Sequence, residues 1–283
     1  MKQYIFKFLK YSGLPVFFRK RYQKRTVTIL LYHDLSPRFA NLHFKYLANS
    51  YNVISLKLFK KALKEKDFSK LPNYPLIVTL DDGHSGNYSL LNLFIKYKIP
   101  ATIFLASNIV ATNRHYWFHY ESKFNIDMTK ISNDSRLEML KEIDFEPKKE
   151  YPTRLSLSSQ EIEQMKLYLD FQSHTKFHPI LPKCKDHIAM EEIQGSKSLL
   201  ENMFSLNIHS LAYPNGDYSN REIKFSKKSG YELGLTASSG YNDEFTNPFL
   251  INRTYISDNA NIDELMVRSS GLWGFLKYIL KKQ

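Results

Sequence analysis

Two neighbouring carboxylates, Asp81 and Asp82, close the most strand-like run in the chain, Pro75-Leu-Ile-Val-Thr-Leu80, and Gly83 follows them. Like charges at the end of a buried strand repel, and loss of water sharpens the cost. A cation held by one acid relieves that strain and leaves the other free to act as a base. His174 and His178, four residues apart after another apolar run, supply ligands of the right kind. A histidine pair at this spacing can converge on one metal ion from a single turn. With one carboxylate it makes a face whose remaining positions stay open to water and substrate, as catalytic sites require. Zinc is the first expectation, and the same donor set suits Fe2+ or Co2+. A lone histidine pair is more often one surface residue and one core residue. Here three features coincide: the acid pair after one run, the histidine pair after a second, and the Pro214-Asn215-Gly216 turn after a third.

The elements that must position these residues alternate. Thr26 to Tyr32 reads as a buried strand ending at His33-Asp34, Phe39 to Tyr51 as a helix, Val53 to Ser55 as a short strand and Leu56 to Lys66 as a helix. The strand into Asp81-Asp82 comes next, then a helix over Tyr88 to Tyr97 stopped by Pro100, then a strand over Ala101 to Ala106. Strand, helix and strand within about thirty residues imply parallel pairing. Residues 107–157 break the rhythm and read as an insertion of loops and short helices. Beyond it, Ser158 is placed to cap a helix, and Leu167 to Phe171 reads as the strand feeding the histidine pair. Ala189 to Phe204 and Glu222 to Ser229 read as helices, and Ser210 to Tyr213, Leu233 to Thr236 and Leu250 to Ile256 as strands. Polar residues fall repeatedly at strand C-termini, where α/β barrels build their sites.

These residues carry a family resemblance. Thr79-Leu80-Asp81-Asp82-Gly83 resembles the first motif of the NodB-like polysaccharide deacetylases (carbohydrate esterase family four), usually Thr-Phe-Asp-Asp-Gly. Ser173-His174-Thr175-Lys176-Phe177-His178-Pro179 resembles the second motif, His-(Ser/Thr)-x-x-His-Pro, and Ala212-Tyr213-Pro214-Asn215-Gly216 the third, where Pro-Tyr-Gly is usual. The resemblance runs from about Thr26 to Ile256. It implies a distorted (β/α)7-type barrel and metal-dependent removal of N-acetyl groups from amino sugars. By position, Asp82, His174 and His178 would hold the metal and Asp81 would be the general base. Tyr213 and the backbone N–H of Asn215 would serve the oxyanion and the substrate. No late histidine exists to act as general acid, because His209 is the last in the chain. Tyr32-His33 matches the early Tyr-His pair of the branch resembling poly-N-acetylglucosamine deacetylases, which gives His33 that role. The arginine that precedes Pro-Tyr in many members is Ala212 here, and Arg253 either supplies its charge or forms a salt bridge at the barrel rim. His84 lines the sugar pocket or starts a helix; Trp117, His119 and Glu121 stack on a sugar or simply pack.

Bulk composition sets the frame. The 283 residues, 43% hydrophobic, suffice for one large domain, and the single cysteine, Cys184, excludes an internal disulfide framework. Residues 1–25 carry eight of the bases behind the net charge of +12 and no acid, interleaved with large apolar residues. Such an arm, preceding a barrel domain at 26–283, suits an anionic membrane surface; an ordinary amphipathic helix packed on the domain fits it equally. Its lysines interrupt the apolar run, so it makes a poor signal peptide, and the expected location is the cytoplasm at the inner face of the membrane. No nucleic-acid-binding pattern appears. The expected substrate is an N-acetylated envelope glycan or its lipid-linked precursor. The alternatives are deformylation or other amide deacylation on a lipid-linked sugar, and a glycan-binding relative without catalysis. The last predicts a broken ligand set, whereas Asp81, Asp82, His174 and His178 are all present.

Overall fold

The structure, a computed structural model, describes residues 2–281; the first residue of the basic arm lies outside them. The strands are β1 (Thr28–Tyr32), β2 (Asn52–Val53), β3 (Pro75–Leu80), β4 (Thr102–Leu105), β5 (Asp170–Ser173), β6 (Ser210–Ala212), β7 (Leu233–Leu235) and β8 (Thr254–Tyr255). The helices are α1 (Lys2–Tyr11), α2 (Leu14–Tyr22), α3 (Pro37–Ser50), α4 (Leu56–Glu65), α5 (Leu91–Tyr97) and α6 (Asn133–Lys141), then α7 (Ser159–Met165), α8 (Asp186–Phe204), α9 (Asn220–Lys228), α10 (Ile262–Ser269) and α11 (Leu272–Lys281). The strands pair in parallel in the order β7-β6-β5-β4-β3-β1-β8, with β2 beside β3. The two ends meet, because Ile251, just before β8, bridges Leu235 of β7. The result is the distorted α/β barrel expected from the resemblance.

Side-chain alternation sorts the strands into two surfaces. Ile29, Ile77, Phe104, Ala212, Leu235 and Ile251 share one buried cluster inside the ring. Their neighbours Leu30, Val78, Ile103, Leu211 and Tyr213 join the larger cluster beneath the helices. Continuing the inner parity past each strand's end reaches His33, Asp81, His174, Ala237 and Arg253, all of which line one cavity.

Several expectations need correction. The strand expected over Leu167–Phe171 begins only at Asp170. The end of α7 claims the earlier backbone groups, since Leu169 N–H bonds back to Met165 O, and Leu167 is left exposed. Leu250–Ile256 is not one strand: it meets β7 at Ile251, and Thr254–Tyr255 then pairs with β1. That change of partner closes the barrel. Tyr88–Tyr97 starts as a 3-10 turn over Ser85–Leu90 before α5. The basic arm is two helices, broken at Gly13, whose φ of 76° is left-handed.

Candidate active site

The acid pair reaches the cavity through a reversal of the backbone. Alternation alone would send Asp82 to the helix side, opposite Asp81. The chain instead leaves β3 with φ of 73° at Asp82 and 79° at Gly83. Both carboxylates then line the same cavity. Gly83 is required on two counts: its φ, and the lack of room for a side chain. A β-carbon there would sit 2.6 Å from Leu105 Cδ2.

Different groups claim the two acids. Asp81, 3% exposed, is gripped bidentately by Arg253, Nη1 to Oδ1 at 2.7 Å and Nη2 to Oδ2 at 2.8 Å. Arg253 is fully buried and also donates from Nε to Thr236 O. Burial pushes the pKa of Asp81 up, but Arg253, then His174 and His33, outweigh it and hold the acid below its ordinary value. The terminal nitrogens of Arg253 are thus spent on Asp81, not offered to substrate.

Asp82 sits on the other side of the pair. His84 Nε2 lies 3.0 Å from its Oδ2. Burial opposes ionisation, yet His178 and His84 hold the pKa of Asp82 well below its ordinary value. Its Oδ1 is buried without a hydrogen-bond partner among the described residues. Pointing at that oxygen are His174 Nε2 at 3.5 Å and His178 Nε2 at 3.4 Å. His174 donates from Nδ1 to Ala212 O at 2.8 Å, which turns the lone pair of Nε2 inward. Burial pushes the pKa of His178 down to about 3.

Three ligand atoms thus converge, one of them a buried carboxylate oxygen that has no hydrogen-bond partner among the described residues, an arrangement that a cation would satisfy. Ligand bonds of about 2.0–2.1 Å in a tetrahedron set donor separations near 3.4 Å, which these distances match. All three ligand atoms lie within 4.8 Å of one another. Asp82, His174 and His178 therefore fit a metal ion.

The histidine loop is not the single helical turn that the spacing suggested. Thr175 and His178 both have positive φ, of 66° and 56°. The loop is pinned by Glu192 of α8, whose Oε2 accepts from Lys176 N–H at 2.8 Å and Phe177 N–H at 2.9 Å. Trp117, from the insertion, donates Nε1–H to His178 O at 2.7 Å and lines the cavity.

The remaining expected residues divide. His33 follows β1, is half-buried, lines the cavity and packs edge-on against Tyr255. Its backbone is held at both ends, by Asp258 Oδ1 and by Asn87 Nδ2. Asn215 lines the cavity in a left-handed turn at φ 57°, with its amide donated to Asp217. Tyr213 does not reach the site. It is fully buried on the helix side of β6, with its hydroxyl donated to Phe249 O, because it shares the parity of Leu211. The residues under-read in the sequence are His84, which braces Asp82 as well as preceding a 3-10 turn, and Glu192. Adjacency to the acid pair marked His84. Nothing in sequence marked Glu192, a mid-helix acid separated from its loop by fourteen residues or more.

The cavity, about 350 Å3, is at the lower end of the range for small-ligand pockets. A parallel α/β barrel with an Asp-His-His cluster at its strand C-termini, beside an arginine-held acid, has the form of a metal-dependent hydrolase. Residues 69–234 match the family model described as polysaccharide deacetylase, and the chain belongs to that family. It is accordingly a hydrolase of carbon–nitrogen bonds in acetylated sugars. The chain is 22% identical over 240 residues to YxkH of Bacillus subtilis, whose name places it in the same family; the match covers 81% of this chain and 71% of that protein. It is 25% identical over 210 residues to the poly-β-1,6-N-acetyl-D-glucosamine N-deacetylase of Staphylococcus epidermidis, covering 71% of this chain and 61% of that enzyme. The fold matches the Streptococcus pyogenes deacetylase PplD with a TM-score of 0.64 at 19% identity, over 87% of this chain and 99% of that one.

Proposed function

We propose that the chain removes the N-acetyl group from an amino sugar of a bacterial envelope glycan or its lipid-linked precursor. The observation that carries this reading is the division of one acid pair: Asp82 facing His174 and His178, and Asp81 gripped by Arg253. The relative acting on poly-N-acetylglucosamine supports an N-acetylated amino sugar as the substrate class. Zinc best suits two imidazoles and a carboxylate at these separations. A divalent ion held there supplies Lewis acidity, polarising an amide carbonyl and making water more acidic. Asp81, ionised and oriented by Arg253, takes the proton as water adds to the carbonyl carbon. The backbone N–H of Asn215 donates to the oxygen on which negative charge develops. His33, on the β1 wall, returns a proton to the amine nitrogen as the carbon–nitrogen bond breaks, so acetate and a free amino sugar leave.

Purified, metal-loaded protein incubated with N-acetylglucosamine oligomers and with lipid-linked N-acetyl sugars tests the reading by acetate release. Acetate from either class is the expected result. Formate release from an N-formyl sugar with no acetate from any N-acetyl sugar would replace this proposal with deformylation.

A further inference from the structure

More than half of the large apolar side chains exposed among the described residues lie in two short stretches, 4–22 and 275–280. These stretches belong to α1, α2 and α11, which pack together: Phe6 against Trp273 at 4.8 Å and Phe18 against Phe275 at 5.2 Å. Helix α1 carries two apolar stripes on opposite sides. Phe6 and Leu9 face inward and are buried. Tyr4, Phe8 and Tyr11, at helical spacing on the reverse side, are 79%, 73% and 73% exposed. Leu280 near the end of α11 is 71% exposed. Around these lie the exposed bases Lys7, Lys20, Arg21, Lys24 and Arg25, and residues 1–25 contain no acid.

The charge decides what covers this face. A second copy of the chain meeting it through a two-fold axis would set Lys7, Lys20, Arg21, Lys24 and Arg25 against the same five bases. An anionic bilayer surface complements both properties. Aromatic rings sit at the headgroup level, and lysines reach the lipid phosphates beside them. No described helix is long and apolar enough to cross a membrane, so the fit is with the interface and not the bilayer core. We propose that α1, α2 and α11 form one docking face for an anionic lipid surface, with Tyr4, Phe8, Tyr11 and Leu280 at the acyl boundary. The C-terminal helix completes a face that the basic arm alone only half supplies. The proposal does not depend on the deacetylation reading.

Vesicle co-sedimentation of the full chain tests it, using phosphatidylcholine alone and phosphatidylcholine mixed with phosphatidylglycerol. Each base near such a surface is worth about 1 kcal/mol, or about fivefold. The chain should therefore bind the anionic vesicles at least about tenfold more tightly, and lose most of that with added salt. The triple change Lys7→Glu, Lys20→Glu, Lys24→Glu should weaken binding about a hundredfold or more. The double change Phe8→Ser, Tyr11→Ser should weaken it at unchanged charge, with thermal unfolding unaltered because both side chains are exposed. Equal binding to both vesicle types would overturn the proposal. So would a serine variant that binds anionic vesicles as tightly as the wild type. Acetate release from a soluble oligomer should be the same in all these variants, which separates this test from that of the catalytic reading.

Discussion

Asp81 and Asp82 are adjacent in sequence, yet each is held by a different set of partners, and the electrostatics follow from those partners. Arg253 keeps Asp81 ionised, so removing it should raise the Asp81 pKa. A depressed carboxylate pKa contributes stability above the unfolded pKa, and that stability is lost as pH falls through the folded pKa. Arg253→Met should therefore move the acid limb of the kcat/KM profile to higher pH. It should also destabilise the fold by about 3–5 kcal/mol, because the buried carboxylate loses its counter-ion. A pH profile and a chemical denaturation curve check the two parts. His33, the proposed acid, makes a different prediction. His33→Ala should keep metal content and lower turnover by about 10^2–10^4-fold, less so on substrates whose amine is a better leaving group. Turnover equal to wild type on an ordinary amino sugar would remove His33 from the reaction.

At the scale of elements, short turns and one remote helix aim the ligands. Glu192 on α8 holds two backbone N–H groups between His174 and His178 through a single oxygen. Glu192→Ala should weaken metal binding about 10–100-fold without removing a ligand, measured by competition with a chelator. Glu192→Gln can offer its amide oxygen to the same two groups and should lose less. Burial raises the pKa of Glu192 to about 7. An acid raised above its unfolded value costs stability as pH rises through that interval. The glutamine variant lacks this cost, so its melting temperature relative to wild type should rise between pH 5.5 and pH 8. Sequence made some of this visible and hid the rest. The strand Pro75–Leu80 and the helix start capped by Ser158 are local and stand where the sequence places them. The capture of Asp81 by Arg253 joins residues 172 apart in the chain, and only the ring of strands brings them together. The motif neighbours of Tyr213 suggest the cavity, whereas its position directly after β6 gives it the outward parity of Leu211.

For the whole molecule, parallel closure explains why one cavity collects the reacting groups. Every strand contributing to the ring ends at the same face, so residues of inner parity from β1, β3, β5 and β7, and from the residues around β8, arrive together. The fold class and the Asp82, His174 and His178 set were legible because they rest on local motifs. The helical layer of α10 and α11 was not, since an apolar C-terminal helix carries no motif and its partners lie in the first twenty residues. In the proposed reaction the acid pair is divided, with Asp82 holding the metal and Asp81 moving the proton. The most direct test is to measure bound metal and acetate release together in Asp82→Ala and Asp81→Asn. Asp82→Ala should lose both, while Asp81→Asn should keep its metal and lose turnover. An Asp81→Asn protein that released acetate at near the wild-type rate, or an Asp82→Ala protein that kept its metal, would contradict that division.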